Sequence, residues 1–317
     1  MFALCIESSH ARGMGHFYRA LNLAKALQLA GQQCKFFLND HAPSIRLLEQ
    51  CGHQYETVRL PGAGDGWEEA LVHKNKISLW INDRMNTEIG HAKAVKACNI
   101  PLVTFDDRGN GAEIADLHIA SLTFDKRERL RGARLLRGPD YLILNPQIRN
   151  FARVRNQLNS ILVTLGGSDT YGVTVKVVRL LKEMGMTATI VVGPSFIHRE
   201  ALRGELTDGF FVKYGVPSLI EEFATHDLAI TGGGITPFEA NASGLPCVVI
   251  ANELFEVPVG EGLQRLGGSL FAGYHEVLST PLFRPDLELA RMSQTGLDNI
   301  GLQGTNRVVN AIMELHG

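Results

Sequence analysis

Short runs of apolar residues recur along this chain, and longer segments in which apolar positions repeat with helical spacing lie between them. The nine runs are FALCIE (2–7), CKFFLN (34–39), ISLWIN (77–82), PLVTFDD (101–107), SILVTLGG (160–167), TATIVVG (187–193), FFVKYG (210–215), DLAITGGG (227–234) and PCVVIA (246–251). Continuous apolar runs of this length are typical of parallel strands buried on both faces. YRALNLAKALQLAG (18–31) and TVKVVRLLKEMG (174–185) have the apolar period of an α-helix. This alternation predicts an α/β fold with doubly wound parallel sheets.

The alternation weakens between residues 124 and 159, where arginines are frequent and apolar runs are few. This favours a domain boundary, and we expect two Rossmann-like domains, 1–155 and 156–317. Each domain then begins with a strand that runs into a glycine-rich loop, and two such domains facing each other would form a cleft at the carboxyl ends of their strands. The last segment, GTNRVVNAIMELHG (304–317), predicts a helix that can return to the first domain.

Composition and charge narrow the class of protein. The 317 residues include 31 Lys and Arg against 33 Asp and Glu, so the formal net charge is −2. This balance argues against a nucleic-acid partner, and the arginine-rich stretch is interpreted as a solvated connection between the domains. The sequence has neither a basic leader nor an apolar stretch long enough to span a membrane. We therefore expect a cytoplasmic protein without membrane insertion.

The cysteines and histidines do not form the spacings of a metal site. The histidines form neither HxxxH nor HExxH pairs, and the aspartates at 83, 106 and 107 lack the spacing of a calcium loop. The five cysteines are scattered without a CxxC pair, as is typical of reduced thiols in the cytosol, and they are Cys5, Cys34, Cys51, Cys98 and Cys247. We expect no metal and no cofactor.

Three glycine-rich loops follow predicted strands, at residues 13–16, 166–169 and 232–234. A loop of this kind presents main-chain N–H groups that bind phosphate oxygens, although a tight turn alone also explains each glycine. None of the loops matches GxxxxGK[ST], and GMGHFYR lacks the third glycine of GxGxxG, so kinase and dinucleotide-binding functions are disfavoured.

His16 is the first candidate for catalysis. It lies in the loop after the first strand, immediately before a predicted helix. An imidazole takes up a proton near neutral pH and can therefore act as a general base. His10, earlier in the same loop, is the alternative.

Glu239 and the loop before it are candidates for nucleotide binding. Glu239 could accept hydrogen bonds from two ribose hydroxyls, or it could only complement the dipole of its helix. The N–H groups expected to bind a diphosphate are those of Gly233, Gly234, Ile235 and Thr236. Asp106 and Asp107, at the end of the FDD strand, are either substrate contacts or turn residues.

Five segments carry a specific pattern when they are taken together: RGMGHFYRALNLAKAL (12–27), FDDRGNGAEIADLHI (105–119), GPDYLILNPQIRN (138–150), ILVTLGGSDTYGVTVKVVRLL (161–181) and TGGGITPFEANASGLPCVVIA (231–251). They resemble the UDP-sugar hydrolases of pseudaminic acid biosynthesis and the related spore-coat polysaccharide proteins, the PseG/SpsG-like family. That family is similar to the glycosyltransferase B (GT-B) superfamily. The chain departs from the family at WINDRM (80–85), where the family has DxY, and at Asn252-Glu253, where it has Asn-Gln.

The resemblance implies a GT-B-like fold and metal-independent hydrolysis of a UDP-linked deoxy amino sugar, with inversion at the anomeric carbon. It implies that His16 is the general base, that residues 233–236 bind the nucleotide and that Glu239 binds the ribose. The residues expected to contact the substrate or its diphosphate are Gly13, Gly15, Arg19, Asp83, Asp107, Gly167, Ser168 and Asp169.

Two other functions stay open on the same scaffold. A glycosyltransferase would use His16 to deprotonate an acceptor hydroxyl, and a non-catalytic protein would bind a nucleotide sugar without turnover. In each case the expected partner is a UDP-sugar, and we expect a monomer.

Overall fold

The computed structural model describes residues 1–8, 15–60, 66–125, 128–167, 169–193, 195–216, 218–278 and 287–316. The described strands are β1 (Phe2–Ile6), β2 (Cys34–Leu38), β3 (Tyr55–Thr57), β4 (Leu79–Asp83), β5 (Leu102–Phe105), β6 (Leu117–Ala120), β7 (Arg134–Arg137), β8 (Ile161–Thr164), β9 (Thr189–Val192), β10 (Phe211–Tyr214), β11 (Leu228–Gly232), β12 (Cys247–Ala251) and β13 (Ser269–Tyr274). The described α-helices are α1 (Gly15–Leu29), α2 (Ala42–Gln50), α3 (Trp67–Asn75), α4 (Ile89–Ala97), α5 (Val173–Glu183), α6 (Arg199–Glu205), α7 (Leu219–Thr225), α8 (Thr236–Ala242), α9 (Val257–Leu266), α10 (Leu289–Asn299) and α11 (Gly304–His316). None of these helices has the length and apolar character needed to cross a lipid bilayer.

The chain forms two compact units, and the first contains a seven-stranded sheet in the order β3-β2-β1-β4-β5-β6-β7. All of its strand pairs are parallel. Strand β1 is buried along its whole length, as expected for a strand covered on both faces. Helix α1 packs on the sheet through residues spaced by three and four positions, namely Phe17, Ala20, Leu23, Ala24 and Leu27.

The second unit contains a six-stranded parallel sheet in the order β10-β9-β8-β11-β12-β13. Its core joins the central strands to helix α5, whose Val177, Val178 and Leu181 are fully buried. In each unit the strand that comes first in the sequence, β1 or β8, lies inside the sheet at the point where the strand order reverses. The carboxyl ends at such a reversal are where open α/β sheets bind ligands.

The α/β class and all nine predicted strands are confirmed. The apolar pattern missed β3, β6, β7 and β13. β3 and β7 are edge strands with exposed or half-buried positions, and most of the edge strand β13 is also only half-buried, so none of them needs a continuous apolar run. β6 contains the buried His118, whose Nδ1 bonds the carbonyl of Arg131 at 2.8 Å. A buried, hydrogen-bonded polar residue in an inner strand of a sheet interrupts the apolar pattern.

The two units divide at residues 144 and 145, whereas the sequence placed the boundary between 155 and 156. The arginine-rich stretch is not only a connection, because RLLR forms strand β7 of the first sheet. From Asn145 onward the chain belongs to the second unit, where the buried Arg155 donates to the carbonyls of Phe223, at 2.7 Å, and Ser243.

Helix α11 lies in the first unit, although it ends the described chain. The ring of His316 packs edge-on against Phe2, with centroids 4.8 Å apart, and Arg134 forms an ion pair with Glu314 at 2.6 Å. The first unit therefore contains both ends of the described sequence.

Candidate functional site

Four polar side chains meet at the carboxyl ends of β1, β4 and β5 in the first unit. His16 and Arg19 lie in the first turns of α1 and share one face because they are three positions apart. Asp83 is the last residue of β4, and Asp106 follows β5 directly. Because β1, β4 and β5 are neighbours in the sheet, these elements bring the four side chains together.

The imidazole of His16 is bonded to the carboxylate of Asp83, with 2.7 Å between Nδ1 and Oδ1. Burial would raise the pKa of Asp83, but the charges and hydrogen bonds of Arg19 and His16 outweigh it and lower that pKa to about 2. The ionised carboxylate only accepts hydrogen bonds, so Nδ1 carries the proton. The Arg19 NH2 group, 3.0 Å from Nδ1, donates to Asp83 Oδ1 at 2.5 Å. This tautomer leaves Nε2 as the nitrogen that can accept a proton.

Arg19 holds the two aspartates in place. Its Nε donates to Asp83 Oδ2 at 2.8 Å, which makes a bidentate pair, and its NH1 donates to Asp106. Burial opposes the charge of Arg19, but Asp83 and Asp106 raise its pKa above the usual value. Bidentate charge-assisted bonds fix a carboxylate in direction as well as in position.

Asp106 joins this cluster through a backbone conformation that is rare outside glycine, with φ +43°. Its Oδ1 accepts from the N–H of Leu122 at 2.9 Å, and its Oδ2 accepts from Ser121 Oγ at 3.2 Å. The sequence analysis named both aspartates of the FDD segment as candidates for a substrate contact, and Asp106 is the one that is bonded to Arg19 in this cluster.

Asp107 lies outside the cluster and is bonded to its own loop and to the loop after β4. Its Oδ1 accepts from the N–H groups of Thr87, at 2.9 Å, and Gly109, at 2.8 Å, and its Oδ2 accepts from Thr87 Oγ1. Burial raises its pKa against these bonds. A substrate contact by Asp107 stays a prediction, while the observed bonds join the loops after β4 and β5.

In the second unit, the glycine loop after β11 lies against the segment after β12. A Cβ at Gly232 would come within 2.8 Å of Asn252 Nδ2, and a Cβ at Gly233 would come within 2.7 Å of Glu256 Cβ. Gly234 faces open space instead. The first two glycines thus allow a close approach of two loops, and the third leaves room beside the main chain.

Glu256 binds the glycine loop, which the sequence analysis missed. Its Oε2 accepts from the N–H of Asn252 at 2.7 Å and from the N–H of Gly233 at 3.3 Å. Burial raises the pKa of Glu256 in spite of these bonds. The predicted donation from Gly233 to a ligand therefore competes with a bond inside the protein. The departure from the family pattern in residues 252–256 was the available signal.

Glu239 lies in the first turn of α8, which begins at Thr236 after the N-cap residue Ile235. Its side chain is partly exposed, and the surrounding protein raises its pKa to about 7 by desolvation. Among the described residues, no side-chain hydrogen bond to its carboxylate is found. An acceptor with these properties can bind hydroxyl groups of a ligand.

In the loop after β8, the side chain of Asp169 is bonded to the start of the next helix. Asp169 caps α5, because Oδ1 accepts from the N–H of Val173 and Oδ2 from the N–H of Thr174, both at 2.8 Å. Gly15 begins α1, and Gly167 packs against Gly193, where a Cβ would come within 2.2 Å of the Gly167 carbonyl oxygen. Contacts of Gly15, Gly167 and Asp169 with a substrate stay predictions.

The remaining predicted site residues, Gly13 and Ser168, lie outside the described residues, as does His10. Within the described part of the chain, no group of three or more His, Cys, Asp or Glu side chains could hold a metal ion.

No protein-family model matches the chain. An uncharacterized protein of Methanocaldococcus jannaschii is 27% identical over 277 residues, which are 80% of this chain and 56% of that protein. The chain therefore spans little more than half of that relative. The spore coat polysaccharide biosynthesis protein SpsG of Bacillus subtilis is 25% identical over 290 residues, which are 86% of this chain and 83% of SpsG.

Solved structures with the same fold cover almost the whole chain. MurG of Acinetobacter baumannii has a TM-score of 0.69 at 14% identity and covers 99% of both chains. HepE of Anabaena, solved in complex with UDP and glucose, has a TM-score of 0.67 at 16% identity with the same coverage. Together with the two parallel Rossmann-like sheets, these similarities show that the chain has the GT-B fold.

Proposed function

We propose that this protein is an enzyme that hydrolyses a UDP-linked amino or deoxy sugar at the anomeric carbon, without a metal ion. The observation that carries the proposal is the bond between His16 Nδ1 and the ionised Asp83, because it directs the basic Nε2 away from the carboxylate. His16 keeps partial access to solvent, with 21% of its side chain exposed. A buried anion that orients a partly exposed imidazole is the arrangement of a general base.

In the proposed reaction, His16 Nε2 takes a proton from one water molecule. The water oxygen forms a bond to the anomeric carbon from the side opposite the leaving group. The bond between that carbon and the β-phosphate oxygen breaks, and UDP departs with the electron pair. Asp83 stabilises the imidazolium, which afterwards returns its proton to solvent. General base catalysis of this kind contributes about 10²- to 10⁴-fold to the rate.

The second unit supplies the nucleotide site in this proposal. The N–H groups of residues 234–236 bind the diphosphate, and Glu239 accepts hydrogen bonds from the ribose. UDP is a stable leaving group, so main-chain donors are sufficient to stabilise its developing charge. The room beside Gly234 supports this assignment, and so does the carboxylate of Glu239, to which no described residue forms a side-chain hydrogen bond.

The relatives support a function in surface-glycan synthesis. SpsG is described as a spore coat polysaccharide biosynthesis protein, and HepE was solved with UDP and glucose. Together with the family resemblance, they favour as the product a free sugar that is used to synthesise a pseudaminic-type acid or another surface glycan.

A glycosyltransferase is the second candidate. Several proteins with this fold are described as glycosyltransferases, among them a spinosyn rhamnosyltransferase solved with thymidine diphosphate. In that case His16 Nε2 would take the proton of an acceptor hydroxyl, and the chemistry at the sugar would be otherwise the same.

The test is UDP release from a panel of UDP-sugars with chelator present and no acceptor. We expect the wild-type protein to release UDP and His16→Ala to lose about 10²- to 10⁴-fold in turnover while its UDP affinity is nearly unchanged. His73→Ala is the matched control, because His73 is an exposed histidine on α3 of the same unit. UDP-sugar binding without UDP release would favour the transferase or a non-catalytic binding protein. An equal loss of UDP binding and turnover in His16→Ala would refute the role of His16 as the general base.

A further inference from the structure

The glycine loop of the second unit already holds an anion from its own chain. Glu256 Oε2 bonds the N–H of Gly233 and the N–H of Asn252, at the carboxyl ends of the adjacent strands β11 and β12. The methylene carbons of Glu256 fill the space that a Cβ at Gly233 would need. This carboxylate therefore lies directly against the loop and does not extend into solvent.

The two segments that form this site contain no cationic side chain that would offset the charge of Glu256. Residues 232–239 and 252–256 include neither lysine nor arginine. A diphosphate bound here would receive hydrogen bonds from neutral main-chain donors while it lies beside the carboxylate of Glu256. Like charges a few ångströms apart disfavour each other, so each additional charge on the ligand costs affinity.

We propose that Glu256 is a specificity-determining residue that makes this loop favour a nucleoside diphosphate with an esterified terminal phosphate over the free nucleoside diphosphate. The inference rests on the proposed function, because it places the diphosphate at this loop. A free terminal phosphate has a second pKa near 6 and carries close to two negative charges at neutral pH. An ester at that phosphate, as in a nucleotide sugar, removes one of them.

This preference has a consequence for turnover. Cleavage of the sugar converts the esterified phosphate into a free one and so adds about one negative charge beside Glu256. The product is then held less tightly than the substrate, and Glu256 speeds product release. Product release limits the rate of many enzymes. Where it does so here, Glu256 would raise kcat without contacting the reacting atoms.

The test compares the dissociation constants of UDP and of its β-methyl ester, measured by calorimetry at pH 7.5. These ligands differ in the charge of the terminal phosphate and by only one methyl group. We expect the wild-type protein to bind the ester roughly 10-fold more tightly than UDP, and Glu256→Gln to lose most of this preference by binding UDP more tightly. Glu253→Gln is the matched control, because Glu253 bonds the hydroxyl of Tyr171 at 2.9 Å and not the glycine loop; it should keep the preference.

An unchanged ratio of the two constants in Glu256→Gln would overturn the inference, and so would a wild-type protein that binds UDP as tightly as the ester. If neither ligand binds the wild-type protein, the proposed nucleotide site is wrong and the inference falls with it. Glu256→Ala gives the same comparison if the glutamine variant does not fold, and it too should lose the preference.

Discussion

The carboxylate of Asp83 determines what His16 can do. It is 4% exposed, and Arg19 holds both of its oxygens, so it cannot turn away from the imidazole. A fixed and ionised acceptor keeps the proton on Nδ1 and stabilises the imidazolium that forms when Nε2 takes a second proton. In this account Asp83 is a positioning residue for the base.

Replacing Asp83 by asparagine tests this role. Asp83→Asn keeps the size of the side chain but removes the charge, so the imidazolium loses its stabilising partner and the tautomer is no longer fixed. We expect kcat to fall by about 10²- to 10⁴-fold with little change in the dissociation constant of UDP. The exposed Asp40→Asn is the control. A variant with near-normal kcat would remove Asp83 from the mechanism.

The raised pKa of Glu239 predicts that nucleotide binding depends on pH. Its pKa is about 7 in the free protein, and hydrogen bonds from ribose hydroxyls favour the ionised carboxylate and so lower that pKa on binding. Binding then releases protons below pH 7. Affinity for the β-methyl ester of UDP, whose terminal phosphate keeps the same charge in this range, should therefore rise as the pH increases toward 7 and level off above it. Glu239→Gln should flatten the profile and weaken binding above pH 7 by roughly 1–3 kcal/mol. Calorimetry between pH 5.5 and 8.5 measures both, and a wild-type profile identical to that of the variant would contradict the ribose contact.

At the scale of elements, the strands buried on both faces could be predicted from the sequence, because burial on two faces demands a continuous apolar run. Three of the four edge strands, β3, β7 and β13, could not, since most of their positions are exposed or half-buried, whereas the edge strand β10 was predicted from FFVKYG. In the site, the glycine loop marked His16, but the bond of Asp83 to His16 depends on the adjacency of β1 and β4. The contact of Glu256 with Gly233 likewise depends on the adjacency of β11 and β12, which spacing along the chain does not reveal.

The close approach of the loops after β11 and β12 predicts that two adjacent glycines respond differently to alanine. Gly233→Ala would place a Cβ 2.7 Å from Glu256 Cβ, so the segment after β12 must shift, and we expect a loss of roughly 1–3 kcal/mol in the free energy of unfolding. Gly234→Ala, which meets open space, should stay within about 0.5–1 kcal/mol of the wild-type protein. Denaturant unfolding measures both. Equal effects of the two substitutions would contradict the packing of these loops.

At the scale of the whole molecule, the last helix joins the end of the described chain to the sheet that contains its beginning. Ile312 of α11 is fully buried in the first unit. The stability of that unit therefore depends on a segment far away in the sequence, whereas the second unit has its own core around β8 and α5.

A cavity beneath α11 should lower the stability of the first unit and leave the stability of the second unit unchanged. Ile312→Ala removes buried methyl and methylene groups, so we expect a loss of about 2–5 kcal/mol in the stability of the first unit. Amide hydrogen exchange should become faster in β1 and β4 and stay unchanged in β8 and β11. Asn310→Ala, on the exposed side of the same helix, is the control. Faster exchange in both sheets to the same extent would contradict the assignment of α11 to the first unit.

The proposed reaction requires that a water molecule activated by His16 attacks the anomeric carbon of a UDP-sugar. Its most direct test is turnover in water enriched in the heavy oxygen isotope, without acceptor and with chelator, followed by mass spectrometry of both products. We expect the label to enter the free sugar and not UDP, and we expect His16→Ala to abolish its incorporation. Label in UDP would show cleavage of the phosphorus–oxygen bond, and either that result or unchanged labelling in His16→Ala would contradict the account.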